Sequence, residues 1–161
     1  MRRHGCPDIV IANAGVSRRR VTQFFEDSKV FEAILATNVL GIVDLFHPYL
    51  TAMRASGHGV LVGVASIGGY RGLPTGGGAY SASKAAAISY LESLRVKMHG
   101  SGVSVITVCP GFIITPMTAE KRYRMPFIMT AEDAAAKIAC IVEEKKLFSV
   151  IPWHRGSLQR Y

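Results

Sequence analysis

The sequence predicts an α/β domain whose core is a parallel β-sheet. Three short runs of apolar and β-branched residues lie at 8–15, 59–66 and 103–111, and a weaker run lies at 147–153. Each run is almost continuously apolar, which is typical of strands that are buried on both faces of a parallel sheet. Helical patterns separate the runs, and this alternation of strand and helix indicates the fold class.

Three helices are predicted from apolar periodicity and from residues that begin or end helices. The first begins at Asp27 or Ser28, the second ends at Gly100, and the third is capped by Thr130. Thr130 is followed three residues later by Asp133, a spacing that is typical of a capped helix start. The predicted bounds are 28–56, 81–99 and 131–145.

Length and composition indicate one globular domain without a membrane span. The chain has 161 residues, of which 49% are hydrophobic, and this suits a single domain with a packed core. No apolar run approaches the roughly 18 residues that a membrane-spanning helix needs. The three cysteines, Cys6, Cys109 and Cys140, are widely spaced, so the sequence predicts neither a disulfide framework nor a metal site. A reducing, cytoplasmic location is therefore expected.

The net charge of +8 is interpreted as a solvated basic surface. Basic residues cluster at 18–20, 120–124 and 143–146, but no aromatic residues alternate with a basic stripe and no helix carries a single basic face. Attraction of nucleotide phosphates is consistent with this charge, whereas a nucleic-acid partner is not expected. The nucleic-acid alternative would require retention on heparin that falls steeply with salt.

The carboxyl ends of the predicted strands are where a ligand is expected, because ligands of open parallel sheets bind beyond these ends. The residues at these ends are Asn13, Ala14, Gly15, Ser66, Pro110 and Gly111. Gly15 and Gly111 lack side chains and leave room for a ligand against the backbone. Ser66 adds a hydroxyl group at the same edge.

Tyr80 and Lys84 form a second candidate feature, four residues apart near the start of a predicted helix. This spacing places both side chains on one face of the helix. A nearby ammonium group lowers the pKa of a phenol, about 10 when unperturbed, and the positive end of a helix acts in the same direction. Such a phenol can donate or accept a proton near neutral pH. The pair alone often arises by chance on an amphipathic helix, so its meaning depends on the neighbouring motifs.

The motifs, taken together and in this order, resemble those of the classical short-chain dehydrogenase/reductase family. The matching segments are NAG at 13–15, TNVLG at 37–41, VASIGGYRGLP at 64–74, YSASK at 80–84 and PGFIITPM at 110–117. The resemblance runs from about residue 7 to at least residue 118, and the set of five motifs is much more specific than any one of them. It implies a Rossmann-like, doubly wound parallel sheet and an oxidoreductase that uses NAD or NADP.

The resemblance also implies a role for each matching residue. In carbonyl reduction Tyr80 would protonate the developing alkoxide, Ser66 would hold the substrate oxygen, and Lys84 would lower the pKa of the tyrosine and bind the nicotinamide ribose. Asn38 would complete a proton relay to solvent, through a water held at a kink in its helix. The residues implied to contact the cofactor are Asn13, Ala14, Gly15, Tyr80, Lys84, Pro110, Gly111, Ile113 and Thr115.

Asn38 lies on the predicted apolar stripe of the first helix, where a buried amide needs hydrogen-bond partners. The other residues of this stripe are Phe31, Ile34, Leu35, Ile42 and Leu45. A core asparagine satisfied by its neighbours is the alternative to the relay that the family resemblance implies.

The sequence departs from the family pattern in two places. The spacing from Ser66 to Tyr80 is one residue longer than the family's commonest value, and the extra residue is assigned to the turn PTGGG at 74–78. The family's opening strands and its TGxxxGxG phosphate-binding turn are not found. The chain is therefore interpreted as a single, incomplete domain over 1–161 that alone binds NAD(P) poorly and has low activity. Its first strand, 8–15, would be an exposed apolar edge.

The expected partners follow from the same resemblance. The substrate is a small carbonyl compound or alcohol, and the full-length form is expected to be a homo-oligomer. A non-catalytic fragment or assembly partner is the alternative to an enzyme. Apolar residues at the family's substrate-loop position favour a hydrophobic substrate, and ordinary packing of this loop on the sheet is an equal alternative. These residues are Met117, Met125, Phe127, Ile128 and Met129.

Overall fold

A computed structural model gives the architecture of the chain and describes residues 5–17, 28–72, 77–119, 125 and 127–152. The strands are β1 (Ile9–Ala12), β2 (Gly59–Val64), β3 (Val103–Pro110) and β4 (Phe148–Ile151). The helices are α1 (Ser28–Leu35), α2 (Gly41–Ser56), α3 (Gly78–Lys97), α4 (Pro116–Ala119) and α5 (Ala131–Glu143). A π-helical turn, Ala36–Leu40, joins α1 to α2, and a 3-10 turn, Ile67–Gly69, follows β2.

The four strands form one parallel sheet in the order β1-β2-β3-β4. In the register of the sheet, Val10 lies beside Leu61, and Leu61 lies beside Val105. Side chains of α2 and α3 pack on one face of the sheet, and side chains of α5 pack on the other. Helices on both faces explain why the strand sequences are apolar throughout. The predicted α/β fold with a parallel sheet is confirmed.

The predicted helix bounds agree with the structure except at their ends. Thr130 caps α5 as predicted, since its Oγ1 accepts a hydrogen bond of 3.0 Å from the Asp133 backbone N–H. The second predicted helix begins earlier, at Gly78, directly after Gly77 with its positive φ of 72°. Asp27 and most of the turn at 74–78 lie outside the described residues. The short helix α4 has four residues, too few to show a periodic pattern in the sequence.

The predicted apolar stripe of the first helix is wrong at Leu45, which is 38% exposed. The Gly41 N–H donates to the Ala36 carbonyl five residues back, so the π-helical turn holds one residue more than an α-helical turn. This extra residue rotates everything that follows about the helix axis, and Leu45 leaves the buried face. Phe31 and Leu35, before the turn, are half-buried. The fully buried positions of the continuous helix are Ile34, Asn38, Ile42, Phe46 and Met53.

The strand β1 lies at an edge of the sheet, with β2 as its neighbour among the described strands. Val10 and Ala12 point into the core that α2 and α3 cover. Ile9 and Ile11 point to the opposite face, and each is 48% exposed. Among the described strands, β1 is therefore an edge strand with two exposed isoleucines.

The continuous helix Ser28–Ser56 is long and apolar enough, by length and composition, to be considered as a membrane span. The core helices of soluble proteins and signal sequences meet the same criteria, so this finding is weak. Ile42, Phe46 and Met53 of this helix pack in the core beside the sheet.

Candidate active site

Three of the predicted site residues meet at the carboxyl end of β1. A Cβ atom added to Gly15 would lie 3.3 Å from Lys84 Nζ and 3.6 Å from Asn38 Oδ1. Gly15 follows β1, Asn38 lies in the π-helical turn, and Lys84 lies in the second turn of α3. The fold thus brings together segments that are distant in the sequence, and the bare backbone of Gly15 leaves space beside the amine.

Lys84 is a buried lysine with only 4% of its surface exposed. Its Nζ donates a hydrogen bond of 2.9 Å to the Val64 carbonyl at the end of β2. Burial lowers the pKa of Lys84 from 10.5 to about 8, against a smaller opposing effect of the nearby Cys109. At pH 7 the amine is therefore still mostly protonated. The Lys84 amine has three N–H groups, and among the described residues the Val64 carbonyl is the acceptor found for one of them.

Tyr80 lies one helical turn before Lys84 and is half-buried. Lys84 Nζ lies 6.0 Å from the centroid of the Tyr80 ring, so the amine and the phenol share one side of α3 as the spacing predicts. The Tyr80 carbonyl accepts a hydrogen bond of 2.7 Å from Ser83 Oγ. This side-chain bond links the first turn of α3 to the second turn, in addition to the backbone hydrogen bonds of the helix.

Asn38 is fully buried, and its side chain forms hydrogen bonds with the backbone of Val16 and with the buried Ser83 hydroxyl. Its Oδ1 accepts from the Val16 N–H at 2.8 Å, and its Nδ2 donates to the Val16 carbonyl at 3.0 Å and to Ser83 Oγ at 2.9 Å. The side chain is thus a satisfied core amide that fixes the segment after β1. The kink that the family resemblance implies is found as the π-helical turn, Ala36–Leu40.

Ser66 follows β2 and is half-buried at the same edge of the sheet. The last hydrogen bond between the two central strands runs from the Ala65 N–H to the Val108 carbonyl, at 2.8 Å. Ser66 Oγ accepts a hydrogen bond of 3.1 Å from the Gly68 N–H and so caps the 3-10 turn. Because the oxygen accepts there, the hydroxyl hydrogen is available for a different acceptor.

The residues predicted to contact a cofactor lie at this edge of the sheet, one group after β1 and the other at the end of β3 and beyond it. Asn13 and Ala14 are exposed, and Gly15 is half-buried. Pro110 ends β3, and the Gly111 N–H donates to the Ile151 carbonyl at 2.7 Å. Beyond them, Ile113 forms a parallel bridge with Met129, and the Thr115 backbone N–H donates to Thr118 Oγ1 at 2.9 Å. Thr118 therefore holds Thr115 in a local turn. The sequence pattern does not indicate this role for Thr118.

The predicted apolar loop divides into a packed part and an exposed part. Met129 is buried in the core with α5, which is the ordinary packing alternative. Met117, Phe127 and Ile128 are exposed to between 40% and 55%, and the neighbouring Ile114 is 56% exposed. Residues 120–124 and 126 lie outside the described part of the chain.

Ser83 and Cys109, which carry no predicted catalytic role, are both fully buried. Ser83 links Asn38 to Tyr80, as given above. No motif marks the bond between Asn38 and Ser83, because it joins residues from different elements. Within the described residues, no three His, Cys, Asp or Glu side chains come close enough together to hold a metal ion.

Comparison with known proteins identifies a family for this arrangement. The family model described as short chain dehydrogenase matches residues 1–126. An uncharacterized oxidoreductase of Myxococcus xanthus is 42% identical over 127 residues, which cover 79% of this chain and 49% of that protein. The 2-(R)-hydroxypropyl-CoM dehydrogenase of Xanthobacter autotrophicus is 35% identical over 120 residues, 73% of this chain and 48% of that enzyme. The chain thus spans about half the length of these curated relatives.

Solved structures agree with the sequence matches. A short chain dehydrogenase from Burkholderia cenocepacia, in complex with NADP, superimposes with a TM-score of 0.79 at 26% identity. The match covers 90% of this chain and 61% of that one. A short-chain dehydrogenase from Sphingobium yanoikuyae shares the fold, with a TM-score of 0.80 over 94% of this chain and 59% of that one at 21% identity. The match to the family model over residues 1–126, together with these relatives, shows that the chain belongs to the short-chain dehydrogenase family.

Proposed function

We propose that this chain carries the catalytic part of an NAD(P)-dependent oxidoreductase that interconverts a carbonyl compound and an alcohol, with Tyr80 as the acid and base. The observation that carries the proposal is the buried Lys84 amine, which lies beside both the Tyr80 ring and the bare backbone of Gly15. Two relatives of known structure were solved with NADP and with NADPH, which supports a nicotinamide dinucleotide as the cofactor.

The described residues fit the nicotinamide end of such a cofactor. A side chain at Gly15 would press against the Lys84 amine, so the glycine keeps open the space in which a ribose could approach. Lys84 uses one N–H on Val64, and its other N–H groups suit ribose hydroxyl groups. Asn13 and Ala14 would contact the dinucleotide at the exposed edge, and Pro110, Gly111, Ile113 and Thr115 would do so on the β3 side.

The proposed chemistry assigns each side chain one task. Bound NAD(P) supplies the nicotinamide carbon that gives or takes a hydride. During reduction Tyr80 donates its hydroxyl proton to the oxygen that becomes the alcohol, and Ser66 donates a hydrogen bond to the same oxygen. Ser66 can do so because its oxygen accepts from the Gly68 N–H, which leaves its hydrogen free to point outward.

The proton that Tyr80 loses must be replaced from solvent. We assign this relay to Lys84 and to the π-helical turn that contains Asn38. The Asn38 side chain bonds to Val16 and Ser83, and we assign it the task of holding this turn in place. Lys84, with a pKa of about 8, is charged at pH 7 and favours the tyrosinate form of Tyr80.

The exposed apolar side chains beside the site support a hydrophobic substrate. Ile114 and Met117 follow β3 directly, and Phe127 and Ile128 lie next to the bridge between Ile113 and Met129. A surface of this kind can cover an apolar substituent on the reacting carbonyl carbon. The substrate we propose is therefore a small ketone, or its secondary alcohol, with apolar substituents.

Assembly and location are part of the same proposal. Leu40 and Leu45 on the long helix and Val96 on α3 are exposed, which supports a homo-oligomer formed through this helical layer. All three cysteines are unpaired, which agrees with the cytoplasmic location expected from the sequence. The single sheet supports one domain over 1–161. No observation favours the alternative of a non-catalytic assembly partner.

The test is a screen for NADH and NADPH oxidation with carbonyl substrates, on the longest polypeptide that the gene encodes. We expect Tyr80→Phe to lower kcat by about a thousandfold, the middle of the range for loss of a general acid. Tyr90→Phe, on the same helix, is the matched control and should retain turnover, since Tyr90 packs against the core. Turnover retained by Tyr80→Phe would remove the assigned acid.

A further inference from the structure

A chain of hydrogen bonds runs from the segment after β1 to the first turn of α3. Asn38 Oδ1 accepts from the Val16 N–H at 2.8 Å, and Asn38 Nδ2 donates to the Val16 carbonyl at 3.0 Å. The same Nδ2 donates to Ser83 Oγ at 2.9 Å, and Ser83 Oγ donates to the Tyr80 carbonyl at 2.7 Å. Ser83 is therefore the group through which the Asn38 amide reaches the backbone of Tyr80.

The direction of each hydrogen bond in this chain is fixed by its donors. The Val16 N–H and carbonyl settle which end of the Asn38 amide is the oxygen and which is the nitrogen. The amide nitrogen can only donate, so Ser83 Oγ accepts from it, and the single hydroxyl hydrogen of Ser83 is left for the Tyr80 carbonyl. Asn38 and Ser83 are both fully buried, where hydrogen bonds are strong and polarise one another.

The first turn of α3, which carries Tyr80, starts from a weak helix end. Gly77 precedes the helix and has no side chain that could cap it. The backbone bond from the Ser81 N–H to the Gly77 carbonyl is 3.3 Å long, whereas such bonds are usually about 2.9–3.0 Å. The ends of helices fray readily. The Ser83 hydroxyl therefore restrains the first turn from the second turn of the same helix.

Burial alone does not give a serine this arrangement. Ser81 is only 7% exposed, but its Oγ has no hydrogen-bond partner within the described residues. Ser93 Oγ donates to the Ser89 carbonyl at 3.0 Å, but Ser93 is exposed and bonds to no other element in the part of the chain that the structure describes. Of these three serines on α3, Ser83 is the one that joins the helix to the π-helical turn.

We infer that Ser83 is a positioning residue for Tyr80. This inference rests on the proposed function, since it gives Tyr80 the task of transferring a proton. Ser83 acts through the Tyr80 carbonyl, and so through the backbone that carries the phenol, and not on a reacting atom. Because Lys84 Nζ lies 6.0 Å from the centroid of the Tyr80 ring, a shift of the first turn changes the separation of amine and phenol. The chemistry needed at position 83 is a small hydroxyl group that accepts from an amide and donates to a carbonyl.

The first test observes the Tyr80 ring by fluorine NMR and needs no turnover. The longest polypeptide that the gene encodes is labelled with 3-fluorotyrosine, and the Tyr80 signal is identified by its loss in Tyr80→Phe. We expect Ser83→Ala to shift this signal, and Ser83→Thr, which keeps the hydroxyl group, to return it toward its original position. Ser93→Ala removes a hydrogen bond of the same kind elsewhere on α3 and should leave the Tyr80 signal unchanged. The Tyr90 signal, from the same helix, should stay in place throughout.

Ser83→Cys covers the case in which Ser83→Ala does not fold. The thiol keeps the site filled but is a weak donor and a weak acceptor, so we expect a smaller shift of the Tyr80 signal in the same direction. A Tyr80 signal that stays in place in the folded Ser83 variants would overturn the inference. An equal shift in Ser93→Ala would overturn it as well.

The second test separates positioning from a structural role by the kinetics of carbonyl reduction. Ser83→Ala should lower kcat by about tenfold, because a slightly misplaced reacting group loses rate, while the KM for NADH or NADPH changes little. In a Tyr80→Phe background the same substitution should have no further effect on kcat. Ser81→Ala removes another buried hydroxyl group, one without a partner within the described residues, and should keep the natural kcat.

Two kinetic results would contradict positioning through Tyr80. One is a loss in Ser83→Ala that multiplies independently with the loss in Tyr80→Phe, and the other is an equal loss in Ser81→Ala. If the unmodified protein shows no turnover with any carbonyl substrate, the proposed function fails, and the position of the Tyr80 signal alone decides the role of Ser83.

Discussion

The two sides of the sheet's carboxyl edge are built in different ways. On the β1 side, Asn38 and Lys84 are buried, and their side chains bind backbone groups of Val16 and Val64. On the β3 side, the chain after Pro110 presents exposed apolar side chains instead. These side chains are Ile114, Met117, Phe127 and Ile128. The first side is polar and tied to the backbone, as the proposed proton transfer would require, and residues on the second side can be replaced at little cost to the fold.

The largest stability effect is expected on the polar side, from Asn38→Ala. The substitution leaves the Val16 N–H and the Val16 carbonyl without their partner, whereas Ser83 Oγ keeps its bond to the Tyr80 carbonyl. Each unsatisfied buried group costs roughly 1–3 kcal/mol, so we expect the free energy of unfolding to fall by at least about 2 kcal/mol. Urea denaturation measures this change.

The neighbouring Thr37→Ala provides the control for that measurement. Thr37 Oγ1 donates to the Ala33 carbonyl one turn back and bonds to no other element in the described part of the chain. Its loss should change the free energy of unfolding by less than about 0.5 kcal/mol. If Asn38→Ala proved as mild as Thr37→Ala, the polar side would not be the rigid one.

The second prediction concerns the pH dependence of stability that Lys84 produces. Its folded pKa of about 8 lies below the ordinary 10.5, so between these values the unfolded chain binds more protons than the folded one. Stability should therefore rise as the pH increases from about 8 to 10.5, by up to about 3 kcal/mol from this group. Lys84→Met should flatten this rise, whereas Lys97→Met, at the exposed end of α3, should keep it. A Lys84→Met curve that still rises in parallel with the unmodified protein would contradict a buried amine.

The sequence predicts the parts of this site that depend on local geometry. The spacing of Tyr80 and Lys84 fixes their shared side of α3, and Gly15 and Ser66 are found at strand ends as their apolar runs predict. The contacts that complete the site are not local. Asn38 bonds to residues 22 and 45 positions away, and no periodic pattern records such pairs.

The helix containing Asn38 shows the same limit. Apolar periodicity predicts its bounds at 28–56, and the structure places a continuous helix there. The spacing of apolar residues does not reveal the π-helical turn within this helix. One added residue leaves the apolar pattern periodic both before and after the turn. Regular periodicity therefore predicts Leu45 in the core, whereas it lies outside the core. Tertiary contacts of Asn38 decide where the helix departs from its regular form.

The smallest stability effect is expected on the apolar side, from Ile114→Ser. Ile114 is 56% exposed, so the free energy of unfolding should change by less than about 0.5 kcal/mol. The KM for ketones with long apolar substituents should rise by about tenfold, as expected when an apolar contact is lost, with little change for the smallest ketones. Steady-state kinetics with a series of ketones measures the difference. Equal KM changes across the series would show that this surface does not contact the substrate.

Transfer of an isotope from cofactor to product would reveal hydride transfer itself. NADH and NADPH, each carrying deuterium at both C4 positions, are incubated with the longest polypeptide that the gene encodes and a panel of apolar ketones. We expect an alcohol with one deuterium on its carbinol carbon, and a yield about a thousandfold lower with Tyr80→Phe at equal time. Unlabelled alcohol, or equal label with Tyr80→Phe, would contradict hydride transfer assisted by Tyr80 beside Lys84.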